Sequence, residues 1–145
     1  MTGKQVSNWS VHDSCNNVLR VNRNSAIVID SDRRKSGAKL NDTKLRVRKE
    51  LSDNGMFCWI TMGKEIENYV SADAINQVYG TNKKQIGQYE LFPDYIGKED
   101  KYFTNHKVDS ARKFAEYITF ENSEDIFDLK VMTEKLYREI EKWNS

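Results

Sequence analysis

The feature that most limits what this chain can become is a four-residue run, Ala26-Ile27-Val28-Ile29, that stops abruptly at Asp30-Ser31-Asp32. Every residue of the run is apolar, and all but the alanine are β-branched. Such a run suits a strand covered on both faces, as in a parallel sheet, rather than one alternating between core and water. The stretch after it, Asp30-Ser31-Asp32-Arg33-Arg34-Lys35-Ser36-Gly37, reads as a polar loop. A helix is expected over about 41–52, with Leu45, Val47 and Leu51 as its apolar positions and Asn54-Gly55 ending it. A second buried run follows, Met56-Phe57-Cys58-Trp59-Ile60-Thr61. Strand, helix and strand within roughly 36 residues predict a βαβ unit with a parallel pair of strands and a right-handed crossover.

The remainder reads as more helical. Residues 1–12 have no clear period and form an entry segment, and 13–22 suit a short helix burying Val18, Leu19 and Val21. Ser71 is placed to cap a short helix that Gly80 closes. Residues 81–104 are polar, tyrosine-bearing and irregular, and hold the only proline, Pro93. A helix over 107–118 would set Val108, Ala111, Phe114, Ala115 and Ile118 on one face. The last helix, about 128–143, aligns Leu129, Met132, Leu136, Ile140 and Trp143 on a stripe that reads as ordinary core packing. With no repeat, low-complexity tract or long linker, the expectation is one α/β domain. Its 1–80 part carries a small parallel sheet with flanking helices, and 81–145 is a mainly helical C-terminal part.

Composition narrows the function. A chain of 145 residues can bury a real core, but 31% of it is charged against 38% apolar, so the surface must be heavily ionic. Lys and Arg number 23 against 22 Asp and Glu, a net charge of +1. That balance gives no general attraction to nucleic acid, so any phosphate contact must come from local basic clusters or a bound metal. Cys15 and Cys58 form neither a metal-ligand spacing nor a disulfide framework, which fits a reduced, intracellular setting. No apolar run approaches the roughly 20 residues needed to span a bilayer, and no signal-peptide pattern opens the chain. The expectation is a soluble cytoplasmic domain.

Chemistry concentrates at the two strand ends. In a parallel sheet the carboxyl ends of strands form the ligand crevice. Asp30 and Asp32, two residues apart, would repel each other there, and a hard divalent cation such as Mg²⁺ would remove that repulsion through oxygen ligands. The plainer reading is that one Asp caps the following turn and the other is solvated. A second acidic cluster, Gly63-Lys64-Glu65-Ile66-Glu67-Asn68-Tyr69, stands just after the second strand. Adjacent parallel strands would bring Glu65 or Glu67 toward the Asp pair, giving a site for one or two Mg²⁺ or Mn²⁺ ions. Two such ions about 4 Å apart can activate water and stabilise the leaving oxygen of a phosphodiester. Alternatively both glutamates are helix-start charges, a position acids favour. Arg33, Arg34 and Lys35 suit contact with a DNA backbone, or form a solvated loop. His12 and His106 have no evident partner and are expected at the surface.

These residues together resemble a known family. Residues 22–69 are similar to the Toprim domain of the overcoming-lysogenization-defect (OLD) nucleases, in which an ATPase domain precedes the nuclease. The likeness is carried by Asn22-Arg23-Asn24-Ser25 leading into Ile27-Val28-Ile29-Asp30-Ser31-Asp32-Arg33, then Trp59-Ile60-Thr61, then Gly63 to Tyr69. Lys107-Val108 with Ala111 also looks like the family's C-terminal segment. The resemblance implies that Asp30 and Asp32 are the metal-binding aspartates of a Toprim Asp-x-Asp motif. Glu65 or Glu67 would add a further ligand or hold the site in shape, with Glu67 as the third metal ligand. Lys107 would stabilise charge on the phosphate, unless it is simply a solvated helix-start lysine. The implied activity is metal-dependent cleavage of DNA in phage or plasmid defence.

The chain departs from the family in one respect. A complete Toprim domain opens with a strand ending in a glutamate, and here the first glutamate is Glu50. There is also no Gly-x-x-x-x-Gly-Lys-Ser/Thr loop for ATP. The expectation is therefore the C-terminal piece of a larger protein, partnered by an ATPase domain or chain that supplies the glutamate, in a homo- or hetero-oligomer. Two rivals remain. Haloacid-dehalogenase-type phosphatases also begin with Asp-x-Asp after a buried strand, but need Thr or Val where Arg34 stands. A catalytically incomplete Toprim remnant would serve for oligomerisation or partner binding.

Overall fold

In the computed structural model, which describes residues 22–145, β1 (Ala26–Ile29) pairs in parallel with β2 (Phe57–Ile60), Ala26 opposite Phe57 and Ile29 opposite Ile60. Helix α1 (Asp42–Asp53) makes the connection. The fold is mixed α/β, with a two-stranded sheet among the described residues. Residues 1–21, with the entry segment, nearly all of the expected 13–22 helix, His12 and Cys15, lie outside them.

The N-terminus of α1 is capped by the Asn41 side chain, which accepts from the Lys44 N–H at 2.8 Å. Asn54 caps its other end, and Gly55, at φ +68°, makes the turn into β2. Val47 and Leu51, one turn apart, are fully buried against Met56, Ile27, Ile29 and Cys58. Leu45 was expected beside them but is 39% exposed, because two residues from Val47 is the far side of a helix.

Because side chains alternate along a strand, Phe57 and Trp59 face away from α1. Trp59, Tyr69 and Ile126 form a cluster on that second face, with Phe57, Phe127, Leu129 and Met132 packed around them. Its cover reaches β2 and not β1: Val28, opposite Trp59, is 45% exposed. The expectation of a strand covered on both faces therefore fails for β1 among the described residues, where Ile27 and Ile29 pack toward α1 and Val28 stays exposed.

After β2 come a single 3₁₀ turn (Ile66–Tyr69) and α2 (Ala72–Tyr79), capped by Ser71 and closed by Gly80 in the left-handed region. The segment 81–104 is not merely irregular. It contains α3 (Phe92–Ile96), with Pro93 in its first turn, and two 3₁₀ turns. Its Ile86, Phe92, Ile96 and Phe103 are buried with Ala74, Ile75 and Phe114 in a second core. Helix α4 (Lys107–Ala115) stops three residues before the expected end and buries Ser110 and Phe114. Val108, 65% exposed, and Ile118, 39% exposed, are not core residues.

A short α5 (Phe120–Ser123) leads to α6 (Leu129–Trp143). The stripe on α6 is packed less deeply than expected. Leu129 and Met132 reach the Trp59 cluster, but no residue of the helix is fully buried and Ile140 is 41% exposed. Of this helix, Leu129 and Met132 in the first turns are the residues that join the cluster on β2 among the described residues. Among the described residues no helix is long and apolar enough to cross a membrane.

Candidate functional site

The loops leaving β1 and β2 are tied together by short side chains. The Ser31 N–H donates to Thr61 Oγ1 at 3.0 Å, and the hydroxyls of Ser31 and Thr61 both donate to the Gly63 carbonyl, at 2.7 and 2.8 Å. The Asp32 N–H then donates to the Lys64 carbonyl at 2.9 Å. Gly63 sits in a tight place, where a Cβ would lie 3.0 Å from Asn68 Cβ and 3.4 Å from the Tyr69 and Phe127 rings and so press on all three. Ser31 is thus driven inward, 4% exposed, and the two aspartates flank it on the outside.

Asp30 is half-buried, and its Oδ1 accepts the Ile66 N–H at 2.7 Å, joining the end of β1 to the start of the 3₁₀ turn. Asp32 adopts φ +54°, a region an aspartate tolerates better than most residues. Its carboxylate takes a contact from the Lys44 ammonium, which also donates to the Asp30 carbonyl. Glu65 is the N-cap of the 3₁₀ turn, its N–H donating to Asn68 Oδ1 at 3.0 Å and its carbonyl accepting the Asn68 N–H at 3.1 Å. Asn68, fully buried, donates to the Gly87 and Glu90 carbonyls and fixes this turn on the following loop. Glu67 meets Lys107 in an ion pair of 2.7 Å.

The charges act on one another across the edge. Burial, then the neighbouring charges of Glu67 and Asp32, push the Asp30 carboxyl above the usual range, against the Ile66 N–H and Lys44. Burial, then Glu67 and Asp30, raise Glu65 likewise, with Lys107 and Lys64 opposing. Lys107 is raised by its hydrogen bond to Glu67, with Glu65 and Asp30 adding to it. The fold therefore gathers Asp30, Asp32, Glu65, Glu67 and Lys107 at the carboxyl edge of the sheet. The basic triplet is spread out instead. Arg33 is half-buried with its Nε enclosed and without a partner among the described residues, Arg34 faces an open cleft of about 920 Å³ beside Asp32, Lys64 and Tyr89, and Lys35 is exposed.

The donors are right in kind for a hard divalent cation, being carboxylate oxygens that raise one another's proton affinity. As they stand, Asp32 turns to Lys44 and Glu67 to Lys107. Among the described residues no three His, Cys, Asp or Glu side chains close around one point. Ammonium groups pair with two of the four carboxylates, and an ion held by Asp32 or Glu67 must displace them.

Three contributors were not foreseen in the sequence. Lys44 carried a signal, since a cation in the first turn of a helix opposes the helix dipole. Asn68 carried none. The third is Asp128, whose carboxylate accepts from the Tyr69 hydroxyl and from Trp59 Nε1 at 3.1 Å. The Tyr69 oxygen in turn accepts the Met62 and Gly63 N–H groups at 2.7 and 3.2 Å, so α6 is tied to the loop that carries the site. His106 is also not the unpartnered surface residue expected. Its Nε2 lies 2.8 Å from Asp100 Oδ2, which takes the Tyr79 hydroxyl at 2.9 Å. Burial alone would raise Asp100, but the hydrogen bonds from His106 and Tyr79 outweigh it and hold the carboxyl below its usual range. Comparison with protein-family models, characterised proteins and solved structures finds no match to this chain.

Proposed function

We propose that this chain is the C-terminal part of a Toprim-type nuclease that cleaves DNA phosphodiesters with Mg²⁺ or Mn²⁺, as part of a larger ATPase-nuclease active in phage or plasmid defence. The observation that carries the reading is the meeting of two acidic loops, Asp30-Ser31-Asp32 and Glu65-Ile66-Glu67, at the carboxyl ends of paired parallel strands, with Lys107 bonded to Glu67. Asp30, Asp32 and Glu67 would hold the metal, and Glu65 keeps the turn in shape. When bound, the ion supplies a Lewis acid and lowers the pKa of its water. Lys107, held protonated by Glu67, offers a fixed positive charge to the phosphate oxygens. Arg34 faces the adjoining cleft, where Arg33, Lys35 and Lys64 are near in sequence to the same loops and suit a DNA backbone. The glutamate this chain lacks would come from an ATPase domain or partner chain.

The test is nicking of supercoiled plasmid DNA in Mn²⁺. Slow nicking that disappears in Asp30→Asn and on chelation is expected, and nicking that survives both would sink the reading. A second reading is an incomplete Toprim remnant that binds a partner. It is favoured by the pairing of Asp32 and Glu67 with lysines and by the exposure of Val28 on β1, and it expects a folded protein with no metal-dependent nicking at all.

A further inference from the structure

We infer that Lys44 is a built-in cation that closes the acidic edge, so that a divalent ion enters only when this ammonium leaves. The inference rests on the metal reading proposed above. Its ground is position. Lys44 is the third residue of α1, placed by the Asn41 cap, and its ammonium contacts both the Asp30 carbonyl and the Asp32 carboxylate. Its side chain is only 13% exposed, whereas that of Asp32 is 63% exposed. The lysine therefore lies beneath the aspartate and draws it inward, leaving the carboxylate facing water on its other side.

The surroundings make this an unusual place for a lysine. The first turn of a helix favours anions, because its unpaired N–H groups carry partial positive charge. Lys44 stands there against that field, and burying its ammonium adds a desolvation penalty. Both costs are offset by the Asp30 and Asp32 oxygens. Of these, the Asp32 carboxylate is the one proposed to hold the ion, so the ammonium and the ion compete for it, while the Asp30 carboxylate is turned to the Ile66 N–H. Asp32 keeps its left-handed backbone, φ +54°, with its N–H bound to the Lys64 carbonyl. The aspartate thus stays at the edge whether or not the lysine holds it. Like charges at contact distance exclude each other strongly where water is scarce. Withdrawal of the ammonium, drawn off by an incoming phosphate or carboxylate, would free the Asp32 carboxylate and the Asp30 carbonyl together.

The experiment is calorimetric titration of Mn²⁺ into four proteins: wild type, Lys44→Met, Lys44→Arg, and Lys44→Met combined with Asp30→Ala and Asp32→Ala. Circular dichroism checks folding, and Lys44→Gln replaces the Met variant if that one does not fold. The expected result is binding about tenfold tighter or more in Lys44→Met. Lys44→Arg, which keeps the charge, should stay near wild type, and the combined variant should not bind. Binding in Lys44→Met alone would support the inference equally. If Lys44→Met binds no tighter than wild type while wild-type binding depends on Asp30 and Asp32, the lock is overturned and the metal reading stands. Equal gains in Met and Arg would also overturn the lock. Absence of binding in all four would overturn both.

Discussion

Glu67 and Lys107, forty residues apart, close an ion pair of 2.7 Å that joins the acidic turn after β2 to the first residue of α4. Glu67 is the deeper partner, its side chain 17% exposed against 47% for the lysine. Removing the cation would leave Glu67 beside Asp30 and Glu65 with no neighbouring charge of opposite sign from α4. Lys107→Ala should therefore destabilise the protein at pH 7 by about 1 kcal/mol, the upper end for a partly exposed pair. Urea denaturation measures this, and Lys107→Arg should recover most of the loss.

The repulsion along this edge has a consequence for pH. Asp30 and Glu65 have carboxyls raised in the folded protein, first by burial and then by neighbouring carboxylates. A raised carboxyl means that the native state binds its proton more tightly than the unfolded chain, so these groups lower stability as pH rises from about 4 through their folded values. Asp30→Asn keeps an acceptor for the Ile66 N–H while removing the charge. It should raise the unfolding free energy at pH 7 by under about 1 kcal/mol, given the group's partial exposure. The gain should fade below pH 3.8, the ordinary aspartate value, where both forms are neutral. A stabilising change at the residue proposed to hold metal is what a functional site under electrostatic strain predicts. Thermal melts of both proteins across this range decide it, and a loss of stability at pH 7 would count against the account.

Asp128 holds two donors at once, the Tyr69 hydroxyl and Trp59 Nε1, on rings that are both 5% exposed. Asp128→Ala leaves both without a partner in a poorly hydrated place. The cost should be about 2–4 kcal/mol, one to two unsatisfied buried groups. Because Tyr69 also receives the Met62 and Gly63 N–H groups, the loop carrying the site should loosen as well. Amide exchange at residues 62–64 would report that loosening, and unchanged protection there would show that α6 does not brace the site.

The outline of the site was legible in the sequence, and its balance of charges was not. The apolar runs of β1 and β2, the Asn54-Gly55 stop and the Ser71 and Gly80 caps are local signals, each set by a few adjacent residues. They sufficed to place the Asp30-Ser31-Asp32 and Glu65-Ile66-Glu67 loops at one sheet edge. The cover on β1 was not legible, because an unbroken apolar run has the same pattern whether one face or two are packed. Nor was the second core, since Ile86, Phe92, Ile96 and Phe103 follow neither a helical nor a strand period. The pairing of Asp32 with Lys44 and of Glu67 with Lys107 depends on contacts 12 and 40 residues apart, which no local pattern encodes.

That second core offers its own check. Phe92 is fully buried, with the Phe103 ring centroid at 4.8 Å and that of Phe114 at 6.0 Å. Phe92→Ala should cost about 3–5 kcal/mol, the range for emptying a buried aromatic site. Val108→Ala, at a residue 65% exposed on the same helix as Phe114, should change stability by less than about 0.5 kcal/mol. Similar losses in the two would mean that α4 is packed as its periodicity suggested rather than as described.

The most direct measurement of the central claim is Mn²⁺ binding, by calorimetry, to the wild-type chain and to the variant carrying Asp30→Ala and Asp32→Ala. The account predicts saturable binding to the wild type, weakened by the competing Lys44 ammonium, that the double variant loses while keeping its fold. Binding that persists undiminished in the double variant, or no binding to the wild type and to Lys44→Met alike, would contradict a metal site at Asp30 and Asp32.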